Sequence, residues 1–309
     1  MNQKIISVIG GSGFIGNYLV DKLLESGYYV KIISRKPKSK KKFYPSARLG
    51  QYSLINSNIC DEKKLFKILE GSSIIINLVG VLENSRKNSF NAAHVQGTNN
   101  IVKFCSKYEV KKLIHISALG VNKNKTSKYA LTKFLAEKNI RRVENSLIIR
   151  PSIVFGDEDN FINFFAQYAK FSPFLPLIGG GRTKFQPILV SDLVNIIVSC
   201  INKKFNRGQI LEIGGPDILT FKEILTFMLK ELKIKRYFLK LPFNVASGLA
   251  FFLEKLPIKL ITRDQVEMLK TNSIVFKKYS YRNFINYQST SFFIAVRNQL
   301  KFYKKNGGH

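Results

Sequence analysis

Short apolar runs recur along the first half of the chain, and each is followed by a stretch in which apolar residues return every three or four positions. Lys4 to Ile9 reads as a strand, and Ile15, Leu19, Leu23 and Leu24 fall on one face of the helix that follows. The pattern predicts further strands at Tyr28 to Ser34, Tyr52 to Ile55 and Ser73 to Val79, with a helix from Asp61 to Leu69. A long helix over Ser89 to Lys107, a strand Lys112 to Ser117, a helix Lys128 to Val143 and a strand Ser146 to Arg150 follow, giving six strands. Parallel strands need a helical crossover, so this alternation predicts an α/β fold with a doubly wound parallel sheet.

After Pro151 the rhythm loosens into loops such as Gly179-Gly180-Gly181, with helices near Phe161 to Lys170, Asp192 to Asn202 and Phe221 to Leu232. Residues 1–156 are therefore read as the sheet domain. Residues 157–309 form a smaller irregular C-terminal portion that binds a substrate or partner and is partly interleaved with the core. Residues 241–261 are strongly apolar, but Glu254, Lys255, Pro242 and Pro257 interrupt them. That suits a core or interfacial helix rather than a membrane span.

The first strand joins its helix through Gly10-Gly11-Ser12-Gly13-Phe14-Ile15-Gly16. Gly10 suits the positive φ of a tight turn, Gly13 lets backbone approach a phosphate, and Gly16 lets the helix pack closely on its strand. The helix N-terminus offers its N–H groups and positive dipole end to an anion. Gly10, Ser12, Gly13, Phe14, Ile15 and Gly16 thus form a candidate pyrophosphate cradle of Rossmann type. A merely structural turn is the alternative. The second strand runs into Ser34-Arg35-Lys36, where an NAD-selective site would place a carboxylate against the ribose 2′-hydroxyl. A guanidinium and a hydroxyl bind a 2′-phosphate instead, so Ser34 and Arg35 point to NADPH (NADP+), with NADH the weaker alternative.

At 309 residues the chain can bury a full core, and its net charge is +30. No Asp or Glu occurs between Ser26 and Cys60, between Asn160 and Ser191, or after Glu267, while the Arg35 to Arg48 stretch holds the Lys40-Lys41-Lys42 run. Abundant Lys, Asn, Ile and Phe fit an AT-rich genome, yet such bias does not by itself deplete acids. A basic field of this size favours acidic lipid headgroups, an acidic protein surface or nucleic acid. Nucleic acid is the weakest of these, because no helix-turn-helix, zinc-ligand or RNP signature is present. Cys60, Cys105 and Cys200 lack metal-ligand spacing and read as reduced, buried thiols, so no metal is expected. The first strand begins almost at once, which reads as a cytoplasmic chain or one whose leader has been removed.

Tyr129 and Lys133 stand at i and i+4, on one helical face. The Lys charge is expected to lower the phenol pKa, letting Tyr129 exchange a proton with a carbonyl or alcohol while Lys133 also holds the nicotinamide ribose. Ser117, at a strand end, would bond the same substrate oxygen. Ser117, Tyr129 and Lys133 are the candidate catalytic residues; a surface helix carrying a Tyr and a Lys is the plainer reading. His115 reads as a packed histidine, His94 and His309 have no chemical context, and Asp157, Glu158 and Asp159 read as caps of the next helix.

With these motifs the chain resembles the extended and atypical short-chain dehydrogenase/reductases, through the glycine turn, Asn77-Leu78-Val79-Gly80, Tyr129 with Lys133, and Arg150-Pro151-Ser152. More narrowly it resembles the NADPH-binding accessory subunits of respiratory complex I and their bacterial relatives. The carrying residues are His115 to Gly120, Pro173 to Gly181, Phe185-Gln186-Pro187, Gly214-Gly215-Pro216 and Leu260 to Val266, so the similarity runs nearly end to end. The resemblance implies a tightly held NADPH that is structural rather than redox-active, with complex I subunits or an anionic membrane surface as partners. It implies a peripheral place at the inner face of a bacterial inner membrane, or the matrix side in an organelle. It also implies that Val79, Gly80 and Val81 line the cofactor groove, that Asn58 and Ile59 sit near the adenine, and that Pro151, Ile153 and Val154 flank the nicotinamide. Asn58 stands where relatives often carry Asp. The alternative function is an active NADPH-dependent reductase on a quinone-related or lipid-like substrate.

Overall fold

A computed structural model describes residues 4–36, 44–82, 84, 89–254 and 261–305; the Lys40-Lys41-Lys42 run, Lys255, Pro257 and His309 lie outside the described residues. Seven strands form the central sheet: β1 (Ile5–Ile9), β2 (Tyr29–Ser34), β3 (Tyr52–Asn56), β4 (Ile74–Asn77), β5 (Lys112–Ile116), β6 (Ser146–Pro151) and β7 (Gln209–Ile213). Their spatial order is β7-β6-β5-β4-β1-β2-β3, and every pairing is parallel. The chain leaves β1 toward β2 and β3 and later returns to β4 on the other side of β1. The crevice at the C-terminal ends of β1 and β4 is therefore the topological switch point, where ligands of open α/β sheets bind.

The helices are α1 (Phe14–Glu25), α2 (Glu62–Leu69), α3 (Gly97–Lys107), α4 (Lys128–Ile140), α5 (Ile162–Phe171), α6 (Val190–Cys200), α7 (Phe221–Leu232), α8 (Phe243–Leu253), α9 (Arg263–Met268) and α10 (Phe292–Lys305). Alternate residues of the strands face opposite layers. Val8, Ile32, Ile76, Ile114 and Ile149 pack under α1 and α6, whereas Ile9, Ile33, Ile75, Leu113 and Ile148 pack under α2, α3 and α4. A separate cluster holds α5, α7 and α10 around Phe155, Phe221 and Phe292.

Three features differ here from the pattern reading. The sheet has a seventh strand, β7, drawn from the C-terminal portion and paired with β6 from Gln209↔Leu147 to Ile213↔Pro151. Its sequence, Gln-Ile-Leu-Glu-Ile, places Glu212 in a buried strand, and the counter-charge, Arg150, lies directly beside it in register. The apolar 241–261 stretch is divided: Leu241 ends a strand, Tyr237–Leu241, that pairs with Phe174–Ile178, and α8 follows at once. On α8 only Ala246 and Ala250 are buried, while Val245, Leu249, Phe251 and Phe252 are exposed. Of the three cysteines, Cys200 is buried as expected, but Cys60 and Cys105 are only half-buried.

Lys112 ties the two layers together at the start of β5. It is buried, and its ammonium donates to the carbonyls of Cys200 (2.7 Å), Ile201 (2.8 Å) and Lys203, closing the C-terminal end of α6. Lys112→Met keeps the apolar stem but leaves the Ile201 and Lys203 carbonyls without that donor, while Cys200 keeps the Lys203 N–H at 3.3 Å. The expected loss is about 3 kcal/mol, read as a lower urea midpoint with an unchanged denaturant slope.

Candidate functional site

The glycine turn lies at the switch point. Gly10 has φ +84°, donates its N–H to the Ile33 carbonyl, and would bring a Cβ within 3.3 Å of the Leu78–Val79 backbone. At Gly16 a Cβ would stand 2.6 Å from the backbone of Gly10 and Gly11, so any side chain there would push α1 off the turn. Gly13 caps α1, is exposed, and meets nothing but the Gly10 carbonyl at 3.3 Å. The helix has no side-chain cap and no acidic residue in its first turn. Its leading N–H groups therefore face an open, Cβ-free cradle suited to a phosphate, and the residues present fit a dinucleotide. Ser12, Phe14 and Ile15 line this turn.

At the end of β2 the Ser34 hydroxyl is buried without a hydrogen-bond partner, and Arg35 is exposed next to it. Arg35 lies near enough to Cys60 for its charge to draw that thiol's pKa down, although burial is stronger and raises it. Asn58 shapes the β3–α2 corner by accepting the Cys60 N–H at 3.1 Å. Ile59 packs against Gly97, where a Cβ would approach it to 2.5 Å. Pro151, Ile153 and Val154 lie at or just past the C-terminal end of β6, on the same sheet edge as the glycine turn.

Tyr129, Lys133 and Glu137 form one stripe on α4, a helix that Ser127 caps through the Ala130 N–H. The Lys133 ammonium donates to the carbonyls of Val79 (3.2 Å) and Ile116 (2.9 Å), which seats it between β4 and β5. A Cβ at Gly80 would lie 3.1 Å from that ammonium, so Gly80 leaves it room. Burial lowers the Lys133 pKa to about 8, against an upward pull from Glu137. Tyr129 departs from the sequence reading. Burial, and then the charge of Asp264 on α9, push its phenol up to about 12. The phenol stays protonated at neutral pH.

Ser117 donates its hydroxyl to Glu137 at 2.6 Å inside the protein. Glu137 in turn grips Arg150 through both oxygens, at 2.8 Å to Nε and 2.6 Å to Nη2, and Arg150 reaches Glu212 at 3.2 Å. A hydroxyl carries one hydrogen. Ser117 can therefore accept from a ligand, but it can donate to one only by releasing Glu137.

His94 has no local signal in sequence, yet it stands against Tyr129, edge to face with ring centres 5.5 Å apart. It lies in a π-helical turn, Asn91–Gln96, inside the stretch read as one regular helix. Its Nε2 accepts the Val81 N–H at 3.2 Å, so Nδ1 carries the proton toward Thr132 at 2.9 Å. Burial and then the charge of Lys133 lower its pKa to about 3, which keeps it neutral. His115 is packed as expected, with Nδ1 3.1 Å from the Asn77 amide. Burial holds it far below its ordinary pKa. Asp159 caps α5 by accepting the N–H groups of Phe161 and Ile162, each at 2.6 Å.

Comparison with known proteins agrees with this fold. The description NAD dependent epimerase/dehydratase family matches residues 6–214. The NADH dehydrogenase (ubiquinone) 1 alpha subcomplex subunit 9, mitochondrial, of Arabidopsis thaliana is 29% identical over 284 residues, covering 88% of this chain and 71% of that protein. The protein of the same description from Dictyostelium discoideum is 29% identical over 227 residues, covering 73% of this chain and 63% of its own length. Among solved structures, a dTDP-glucose 4,6-dehydratase from Bacillus anthracis in complex with NAD superposes with a TM-score of 0.72 at 18% identity. That match covers 98% of this chain and 97% of the other.

The position of Lys133 gives a pH dependence. Its ammonium is charged below its folded pKa of about 8 and neutral above it. Affinity for an anionic nicotinamide nucleotide should fall as pH rises through about 8, while Tyr129, at about 12, does not titrate in that window. Fluorescence titration with NADPH across this range should show the fall in the wild type and a flat, weaker profile in Lys133→Met.

Proposed function

Since the chain belongs to the NAD dependent epimerase/dehydratase family, we propose that it holds NADP(H) in the β1–α1 cradle and serves as an accessory or assembly protein of respiratory complex I. On this reading it docks peripherally at the inner face of the membrane. The relatives named as NADH dehydrogenase subunits support the partner. The observation that carries a holding role over a turnover role is the Ser117–Glu137 bond of 2.6 Å, which commits the hydroxyl hydrogen away from any substrate carbonyl.

Docking is supported by the C-terminal portion. Phe171, Phe174, Tyr237 and Leu239 are exposed on and beside the 174–178/237–241 strand pair, and Val245, Leu249 and Phe252 on α8. Lys233, Lys235 and Lys240 are exposed among them, and no Asp or Glu occurs from Leu232 to Leu253. Apolar side chains rimmed by cations suit an acidic phospholipid surface. No described helix is long and apolar enough to cross a membrane.

A second reading, an NADPH-dependent reductase on a quinone-related or lipid-like substrate, keeps Tyr129 as proton donor, Lys133 as its charged neighbour and Ser117 as orienter. It draws on Tyr129 and Lys133 sharing one face of α4. The two readings separate on Tyr129→Phe. Turnover predicts loss of NADPH oxidation with cofactor retained, whereas the holding role predicts unchanged respiratory activity and membrane association. Purification of the tagged protein from native membranes in mild detergent should recover complex I subunits with stoichiometric NADPH; recovery of the protein alone would favour the reductase. Arg35→Glu should weaken NADPH binding by at least about tenfold, with little change for NADH, and equal effects on both would refute the 2′-phosphate assignment.

A further inference from the structure

The helix that carries Tyr129 and Lys133 is capped from far away in sequence. Asp264, on α9, accepts the Lys128 N–H at 2.6 Å, the Tyr129 N–H at 3.2 Å and the Ser127 hydroxyl at 2.8 Å. No acidic residue stands in the first turn of α4, so the carboxylate drawn to its positive end is an imported one. Glu267, one turn on, accepts the Thr126 hydroxyl at 2.9 Å, and its carbonyl accepts the Asn124 amide at 2.7 Å.

On its other side α9 rests on α8. Val266 is the buried residue of α9, and it clusters with Ile178, Ala246 and Ala250. Glu254, at the end of α8, accepts from the Arg263 backbone N–H at 2.5 Å and from its guanidinium at 3.1 Å. The short helix α9 therefore stands between the exposed apolar face of α8 and the backbone N–H of Tyr129 itself. Few buried contacts hold it, which makes its position sensitive to what covers α8.

We propose that Asp264 is a positioning residue through which acidic phospholipid docking on α8 tightens nucleotide binding at the Tyr129–Lys133 end of the cradle. The inference rests on the docking reading above. Lipid contact with Val245, Leu249 and Phe252 steadies α8, the Glu254–Arg263 and Ala246–Ala250–Val266 contacts steady α9, and Asp264 then holds the start of α4. Coupling of this kind is reciprocal, so NADPH also strengthens lipid docking by the same factor.

The test is calorimetric titration of the full chain with NADPH, with and without vesicles of phosphatidylcholine and phosphatidylglycerol, alongside vesicle cosedimentation. In the wild type the NADPH Kd should fall about fivefold or more on vesicles. Asp264→Ala should still sediment with vesicles, but its NADPH affinity should no longer respond to them. Glu254→Ala leaves the α4 cap in place, removes the polar part of the α8–α9 contact and should lose most of the response, so the inference stays testable if Asp264→Ala folds poorly. Vesicle binding with an unchanged NADPH Kd in the wild type overturns the coupling and leaves docking intact. A response that persists in both variants overturns the route through Asp264. A wild type that does not sediment overturns the docking reading and the coupling with it.

Discussion

The Arg150 guanidinium, buried between Glu137 and Glu212, fixes α4 on the sheet, and the functional end of the molecule depends on it. Arg150 belongs to β6, Glu212 to its neighbour β7, and Glu137 to the helix above, so one cation joins three elements. Burial works against its charge, but the hydrogen bonds and charges of Glu137 and Glu212 outweigh it and raise its pKa. Removing one partner of such a group strands the others and costs roughly 3–5 kcal/mol. The remaining acceptors are met as well: Ser117 donates to Glu137, and the Phe276 N–H donates to Glu212 at 2.7 Å. Network and site are thus one object, because the carboxylate that places α4 also takes the Ser117 hydrogen.

The electrostatics of the crevice follow from that arrangement. Glu137 and Glu212 share one guanidinium, and Lys133, whose pKa burial lowers to about 8 against the upward pull of Glu137, adds a second cation beside them. The same Lys133 charge adds to burial in keeping His94 and His115 neutral. Among Lys133, His94, His115 and Tyr129, Lys133 is thus the cation that titrates near neutral pH, and it faces the Val79–Gly80 segment that borders the glycine turn. On the holding role proposed above, a phenol held protonated, neutral imidazoles and a committed serine leave Lys133 to neutralise an anionic ligand.

The framework was legible in sequence because it is written in local periodicity. The turn from β1 into α1, the strand faces and the helix over residues 128–140 all follow from spacing within a few positions. What escaped depends on partners far along the chain. His94 gains its role from a π turn that breaks the regular helical stripe, and its partners Val81 and Thr132 lie 13 and 38 positions away. Glu137 and Glu212 look like ordinary surface carboxylates until Arg150, 13 and 62 positions distant, is set between them. The strand β7 was missed for the same reason, since its charge makes sense only beside β6. Asp264 lies 135 positions from Tyr129, and no local pattern could assign it to the start of α4 or foresee that it, with burial, raises rather than lowers the phenol pKa.

Magnitudes also decide what kind of docking the apolar face supports. On the 237–241 strand and α8 alone, without Phe171 and Phe174, Tyr237 is 75% exposed, Phe252 67%, Leu239 and Val245 50%, and Leu249 47%. At roughly 1.5–3 kcal/mol for complete burial of each such side chain, covering their exposed parts contributes on the order of 5 kcal/mol. Three lysines near an acidic surface add about 1 kcal/mol each. The sum of roughly 8 kcal/mol corresponds to micromolar binding before the loss of rigid-body freedom is counted. These five side chains and three lysines alone would therefore hold the chain only reversibly. On the docking reading proposed above, contacts of this size orient the chain at a surface, and lasting residence draws on further contacts.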